Sequence, residues 1–181
     1  MNKNDLRIVK TKQNIHKSLL YILKNKPLSQ IKITELCKEA AINRGTFYFH
    51  YDDIGAVFTE LFQEVMLDLQ QSYEEPYKQG FLHEVKRLDP QTIAIFHHVK
   101  KYEDFYRIVL SEDVPMQYYY MLYDELSTIM GRRNMQEMNE YFCAYSANAI
   151  IGIIIEWYRN DFGKTAAEMN EQLVQIVGYK E

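Results

Sequence analysis

The chain has few of the residues that interrupt or staple a fold: two Cys, seven Gly, four Pro and one Trp among 181 residues. Each shortage excludes a class. Cys37 and Cys143 alone cannot build a disulfide framework or a four-cysteine zinc site, so a reduced, cytoplasmic setting is expected. So little Gly and Pro is foreign to collagen-like and disordered chains. No apolar run is long. Ala149–Ile155 is the longest and falls far short of the ~20 residues a membrane span needs. The opening Met1-Asn2-Lys3-Asn4-Asp5 leads into Lys and Arg among polar residues and is not expected to be a secretory leader. A Gly-rich phosphate loop, Gly-x-Ser-x-Gly and His-Glu-x-x-His are all missing. Neither an enzyme nor a cofactor or metal site is expected.

What is present is apolar bulk and a lopsided charge. Hydrophobic residues make up 47% of the chain, enough for a core without staples. Residues 1–51 carry ten Lys and Arg against three acids, a surplus of +7, while the rest of the chain carries −11. A basic end on an acidic body suits a polyanion at that end; a solvated basic helix face is the plainer alternative.

Hydrophobic spacing reads as helix almost throughout. Ile8, Ile15, Leu19, Ile22 and Leu23 form one stripe over 7–25, broken at Asn25-Lys26-Pro27. Thr34 is placed to cap a second helix over 35–40, Ala41-Ile42-Asn43 reads as a tight turn, and a third helix runs from Arg44 to His50. Asp52 or Asp53 caps a fourth helix to about Ser72, with Val57, Leu61, Val65 and Leu69 inward, and Pro76 and Gly80 mark a break near 73–89. Further helices are expected from Asp89-Pro90, over 103–110, from Pro115 to about Met130, over 136–159, and from Thr165 to about Val177. No alternating strand pattern competes, and the fold class is all-α.

The informative stretch is 33–54. Two short helices joined by a tight turn, with the small or medium apolar residues Leu36, Cys37, Ala40 and Ile42 between them, have the makings of a helix-turn-helix. The second of them offers Arg44, Thr46, Tyr48 and His50, side chains of the kind that reach base edges and phosphates. Thr34 is suited to a phosphate. Lys10, Lys12, Lys32 and Lys38 are candidates for backbone charge.

The run Thr34-Glu35-Leu36 through Gly45-Thr46-Phe47-Tyr48-Phe49-His50-Tyr51 resembles the signature of the TetR (tetracycline-repressor-like) transcriptional regulators over residues 8–60. The resemblance implies a three-helix DNA-binding domain over 1–53 and an all-α domain over 54–181 that dimerises and usually binds a small effector. It implies a sequence-specific regulator, in most cases a repressor, acting as a homodimer on a palindromic operator. Thr34 then matches a phosphate contact. Arg44, Thr46, Phe47, Tyr48 and His50 lie in the DNA-reading helix, and Tyr51 matches the ring beneath it. Two departures stand out: Tyr51 where the family has Phe, and Ile54 where it often has Lys, so that 52–54 is expected to pack rather than bind.

The rest is unusually aromatic, with fifteen Tyr and nine Phe in the chain. Phe96, Tyr102, Tyr106, Tyr119, Tyr123 and Phe142 are candidates for an effector pocket, with core and interface as the duller alternative. A protein partner in place of a small ligand is the alternative function. The helix over 136–159 is so apolar that Ala144, Ala147, Ile150, Ile151, Ile154 and Ile155 are expected to be exposed in a monomer. With Met169, Leu173, Ile176 and Val177 of the last helix they would form a dimer interface. Cys37 is expected in the core, and His16 and His83 at the surface. Neighbouring His97 and His98 should point apart, so that at most one lines a cavity.

Overall fold

The computed structural model describes the backbone of residues 3–78, 90–112, 114–132 and 139–178. Among these the regular structure is helical: α1 (Lys3–Leu23), α2 (Ile33–Glu39), α3 (Arg44–His50), α4 (Ile54–Lys78), α5 (Ile95–Lys101), α6 (Glu103–Val109), α7 (Gln117–Arg132), α8 (Glu140–Arg159) and α9 (Ala166–Gly178), with short 3₁₀ turns at Leu28–Gln30 and Pro90–Thr92. The chain divides into one unit of Met1–Val65 with Ser111–Val114 and another of Met66–Leu110 with Pro115–Glu181. The division falls inside α4.

In the first unit, α1 packs on α2 and α2 on α3. Ile15, Leu19, Leu36, Phe47, Val57 and Phe58 are fully enclosed. Helix ends here differ in detail from the expectation. The N-cap of α2 is Lys32, with no side-chain bond, so Thr34 lies inside the first turn and does not cap it. The cap of α3 is Asn43, whose side chain accepts from the Thr46 N–H at 2.7 Å. An added Cβ at Gly45 would come within 3.2 Å of that same Asn43 oxygen and press on the cap. Asp53 caps α4, taking the Ala56 N–H at 2.8 Å. The helix then runs through Pro76 to Lys78 where the sequence suggested a break: proline removes one intrahelical bond, and a helix of 25 residues continues past the loss.

The turn between α2 and α3 carries local strain. Ala41 has φ of 50° in the left-handed region, where a Cβ crowds the backbone. It is held by Ile42 N–H to Cys37 O at 3.0 Å and by Asn14 Nδ2 donating to Ala40 O at 2.6 Å, which close the C-terminal end of α2.

In the second unit, α7 packs along α8, α5 on α6 and α9, and α9 on the 3₁₀ turn at Pro90–Thr92. Asn170 is buried in α9 and donates from Nδ2 to the carbonyls of Pro90 and Ile93. The loop after α8 is fixed by Phe162, which has a left-handed φ of 49° yet is enclosed edge-on against Trp157 at 5.0 Å, with the Arg107 guanidinium over its ring. Thr165 and Glu168 form a reciprocal cap at the start of α9. His83 lies outside the described residues.

Helix α8 corrects the expectation for its face. Ala147, Ile150, Ile151 and Ile154 are buried within the single chain, as is Leu173 of α9, while Ala144 and Ile155 are half-buried. The apolar residues of α8 outnumber what an interface needs because one side of the helix lines its own unit's core. The outward side carries Tyr141, Phe142, Tyr145, Asn148, Ala149 and Gly152, and on α9 Ile176 and Val177 are exposed. His16 also departs from the surface position expected of it, as described below.

Replacing Ala41 with Gly should stabilise the protein by about 1 kcal/mol, because glycine adopts φ > 0 without the Cβ clash. Urea denaturation checks this; equal or lower stability would show that the turn is unstrained.

Candidate nucleic-acid interface

Two rings decide which way α3 faces. Phe47 lies within α3 and Tyr51 is the residue that ends it; Phe47 is 0% exposed and Tyr51 5%. The side opposite Phe47 carries Gly45 and Phe49, and Arg44 and Tyr48 are exposed on the flank. Thr46 and His50 sit half-buried at its margins. Phe47 is thus removed from the DNA-facing candidates: it is the anchor of the helix in the core. Its neighbour Phe49, 76% exposed, is the residue that sequence reading undervalued. The signal was available, since Phe49 lies one residue after Tyr48 and off the 47/51 stripe.

The outward side is partly ordered before any partner arrives. Arg44 donates to the Tyr48 hydroxyl at 3.3 Å and lies over its ring at 5.7 Å. That bond is the first cause holding the guanidinium above its ordinary pKa. Thr46 is tied through its hydroxyl to Asn43 Oδ1 at 3.1 Å. Burial, then the charge of Lys12, lower the His50 pKa, with Glu60 opposing them, so the imidazole is disposed to be neutral near pH 7. Thr34, Lys10, Lys32 and Lys38 are exposed. Lys12 is engaged with Glu60 at 2.7 Å and lies over the Tyr51 ring. Ile54 is buried, in keeping with a packing role. Cys37 is buried against α3, which raises its thiol pKa.

Beneath α3 lies a polar network. His16 of α1 is 4% exposed and uses both ring nitrogens: Nδ1 meets Glu64 Oε2 at 3.1 Å and Nε2 meets the Tyr51 hydroxyl at 3.0 Å. The Glu60 carboxylate lies beside this pair, with Oε2 3.9 Å from His16 Nε2. Burial first, then the Glu60 and Glu64 carboxylates, push the Tyr51 hydroxyl up. Burial also works to raise Glu60, but its bond to Lys12, helped by Tyr51, prevails and holds it below its ordinary value of 4.5.

In the second unit the candidate pocket residues do not gather at one cavity. Phe96 and Tyr106 are core; Phe96 packs edge-on against Trp157, and Tyr106 bonds to Nδ1 of buried His98 at 3.1 Å. Tyr102, Tyr119 and Tyr123 are half-buried, with the Tyr119 hydroxyl donating to Asn148, and Phe142 is exposed. A cavity of about 340 Å³ opens instead beside Pro90, Gln91, His97, Ala167, Asn170 and Glu171. Among the described residues no His, Cys, Asp and Glu cluster could hold a metal ion, and no helix is long and apolar enough to cross a membrane.

Residues 86–179 match the TetR-family model described as a transcriptional regulator C-terminal region. The chain belongs to the TetR family of transcriptional regulators. Apart from Ser111–Val114 the match lies in the second unit, and it is independent of the residues 33–54 that first suggested the family. Two solved structures share the fold of this TetR-family chain. The dihydroxyacetone kinase operon activator DhaS is 16% identical, with a TM-score of 0.64 over 93% of this chain and 94% of its own. A transcriptional regulator of the TerR/AcrR family from Aquifex aeolicus VF5 is 15% identical, with a TM-score of 0.66 over 93% and 98%. A comparison with curated proteins finds no match.

Because Glu60 is held below its ordinary pKa by folding, its contribution to stability is complete above about pH 4.5 and is lost as pH falls through the lowered folded value. Denaturation between pH 6 and 3 should therefore be less steep in Glu60→Gln than in the parent; identical slopes would place the acid sensitivity elsewhere.

Proposed function

We propose that the protein is a dimeric, sequence-specific DNA-binding regulator that reads a palindrome with α3, most simply as a repressor. The observation that carries this is the outward side of α3: Arg44, Tyr48 and Phe49 stand clear of the core on a helix narrow enough for the major groove. Arg44, Thr46, Tyr48 and His50 are suited to bases and nearby phosphates. Thr34, Lys10, Lys32 and Lys38 would add sequence-independent contacts that set position. The +7 surplus of residues 1–51 favours approach to a polyanion.

A dimer sets two such helices about 34–36 Å apart, one turn of duplex. The surface that favours it is the exposed side of α8, Tyr141, Phe142, Tyr145 and Gly152, with Ile176 and Val177 of α9. Nothing lies within 4 Å of a Cβ built on Gly152, so a partner helix has room to come close. A small effector acting on the second unit would meet the half-buried Tyr102, Tyr119 and Tyr123. A second reading, control by a protein partner, is favoured by the described cavity having no aromatic lining and by the exposed rings of Tyr120, Tyr141 and Tyr145.

A duplex selected by the protein from a random library serves as the test ligand. Tyr48→Ala and His50→Ala should each weaken its binding by about 1–3 kcal/mol while sedimentation still shows a dimer; unchanged binding would mean that another face reads DNA. Gly152→Arg should fold normally, sediment as a monomer and lose the palindrome; a Gly152→Arg dimer would move the interface off α8.

A further inference from the structure

We propose that His16 is a positioning residue for DNA reading: it fixes the roll of α3 by holding the Tyr51 hydroxyl between α1 and α4. The inference rests on the DNA-binding reading above and adds to it a residue that touches no DNA. Apolar packing of Phe47 keeps α3 seated but is not directional, so it leaves the helix free to roll by small amounts. Directional bonds remove that freedom.

Tyr51 is well placed to transmit such a constraint. It is the first residue past α3, where its N–H closes the helix on Phe47 O at 3.0 Å, and its ring touches those of Phe47 at 5.9 Å and His50 at 6.3 Å. The hydrogens can be placed. The Glu64 carboxylate can only accept, so His16 Nδ1 donates to it. With the ring proton on Nδ1, Nε2 accepts from the Tyr51 hydroxyl. Lys12 Nζ donates to Glu60 at 2.7 Å and completes the run. Lys12 and His16 belong to α1, Glu60 and Glu64 to α4, and the residue clasped between them closes α3. A buried polar network of this kind tolerates one arrangement, because a partner moved away leaves an unsatisfied group.

Base-edge contacts depend on the roll of the reading helix, whereas phosphate contacts from flexible lysines do not. Loosening the clasp should therefore cost specificity, not general affinity for DNA. The experiment uses the full chain, the library-selected duplex and a scrambled duplex of equal length and composition at one salt concentration. Tyr51→Phe removes only the hydroxyl; His16→Leu removes both ring nitrogens; His16→Gln restores one acceptor to Tyr51. Tyr51→Phe and His16→Leu should each weaken the selected duplex about tenfold and the scrambled one less than twofold. The double variant should lose no more than either single, and His16→Gln should recover part of the loss. Equal weakening on both duplexes, additive losses, or an unchanged selected affinity in folded Tyr51→Phe would each overturn the proposal. Should His16→Leu fail to fold, Tyr51→Phe alone decides. If the parent protein selects no duplex at all, the DNA-binding reading itself fails, and the positioning role falls with it.

Discussion

The burial of Phe47 inside a seven-residue helix, and of Tyr51 at the residue that ends it, is the constraint on which the exposed surface of α3 depends. So short a helix has no stability of its own, since isolated helices below about 12–15 residues are marginal in water. It exists because one ring is enclosed by the core and the next is bonded to His16 of α1. With Phe47 fixed inward, helical geometry sends Gly45 and Phe49 outward, and Arg44 and Tyr48 reach solvent from the flank. The Asn43 cap and the tight turn at Ala41 set where the helix starts; Tyr51 sets where it stops.

The second unit solves a different problem with the same materials. Its tyrosines and phenylalanines are divided between core, polar bonds and surface. Tyr106 and Phe96 are enclosed, Tyr119 reaches Asn148, and Tyr141 and Tyr145 face outward. Polar contacts there join elements distant in sequence: Lys101 binds Asp68, buried His98 lies 3.5 Å from the same carboxylate, and Gln70 bonds to Glu125. These ties make α4 part of the second unit's framework beyond Met66, as its ties to Lys12 and His16 make it part of the first unit's before Val65.

Much of this was legible in the residues. Helices from the strongest periodic patterns lie close to where the spacing puts them, with α3 over the expected Arg44–His50 and α9 capped by Thr165. The third helix was legible because a buried ring and exposed polar residues fall at helical spacing within seven positions. Three things were not. Ala147, Ile150 and Ile154 are apolar whether they face a partner or their own core, so hydrophobicity alone could not separate the sides of α8. His16 was unreadable because its carboxylate partner is 48 residues away in the chain. The helix through Pro76 overrode a local signal that usually ends one.

The central claim is that the exposed side of α3 is the surface that reads the duplex. The most direct measurement is amide hydrogen exchange across the whole chain, with and without the duplex selected from a random library. Strong slowing at residues 44–50 and in the first turn of α2, with a much weaker effect from a scrambled duplex, is what the account predicts. Exchange at 44–50 that is unchanged by a duplex the protein binds tightly and selectively would contradict it.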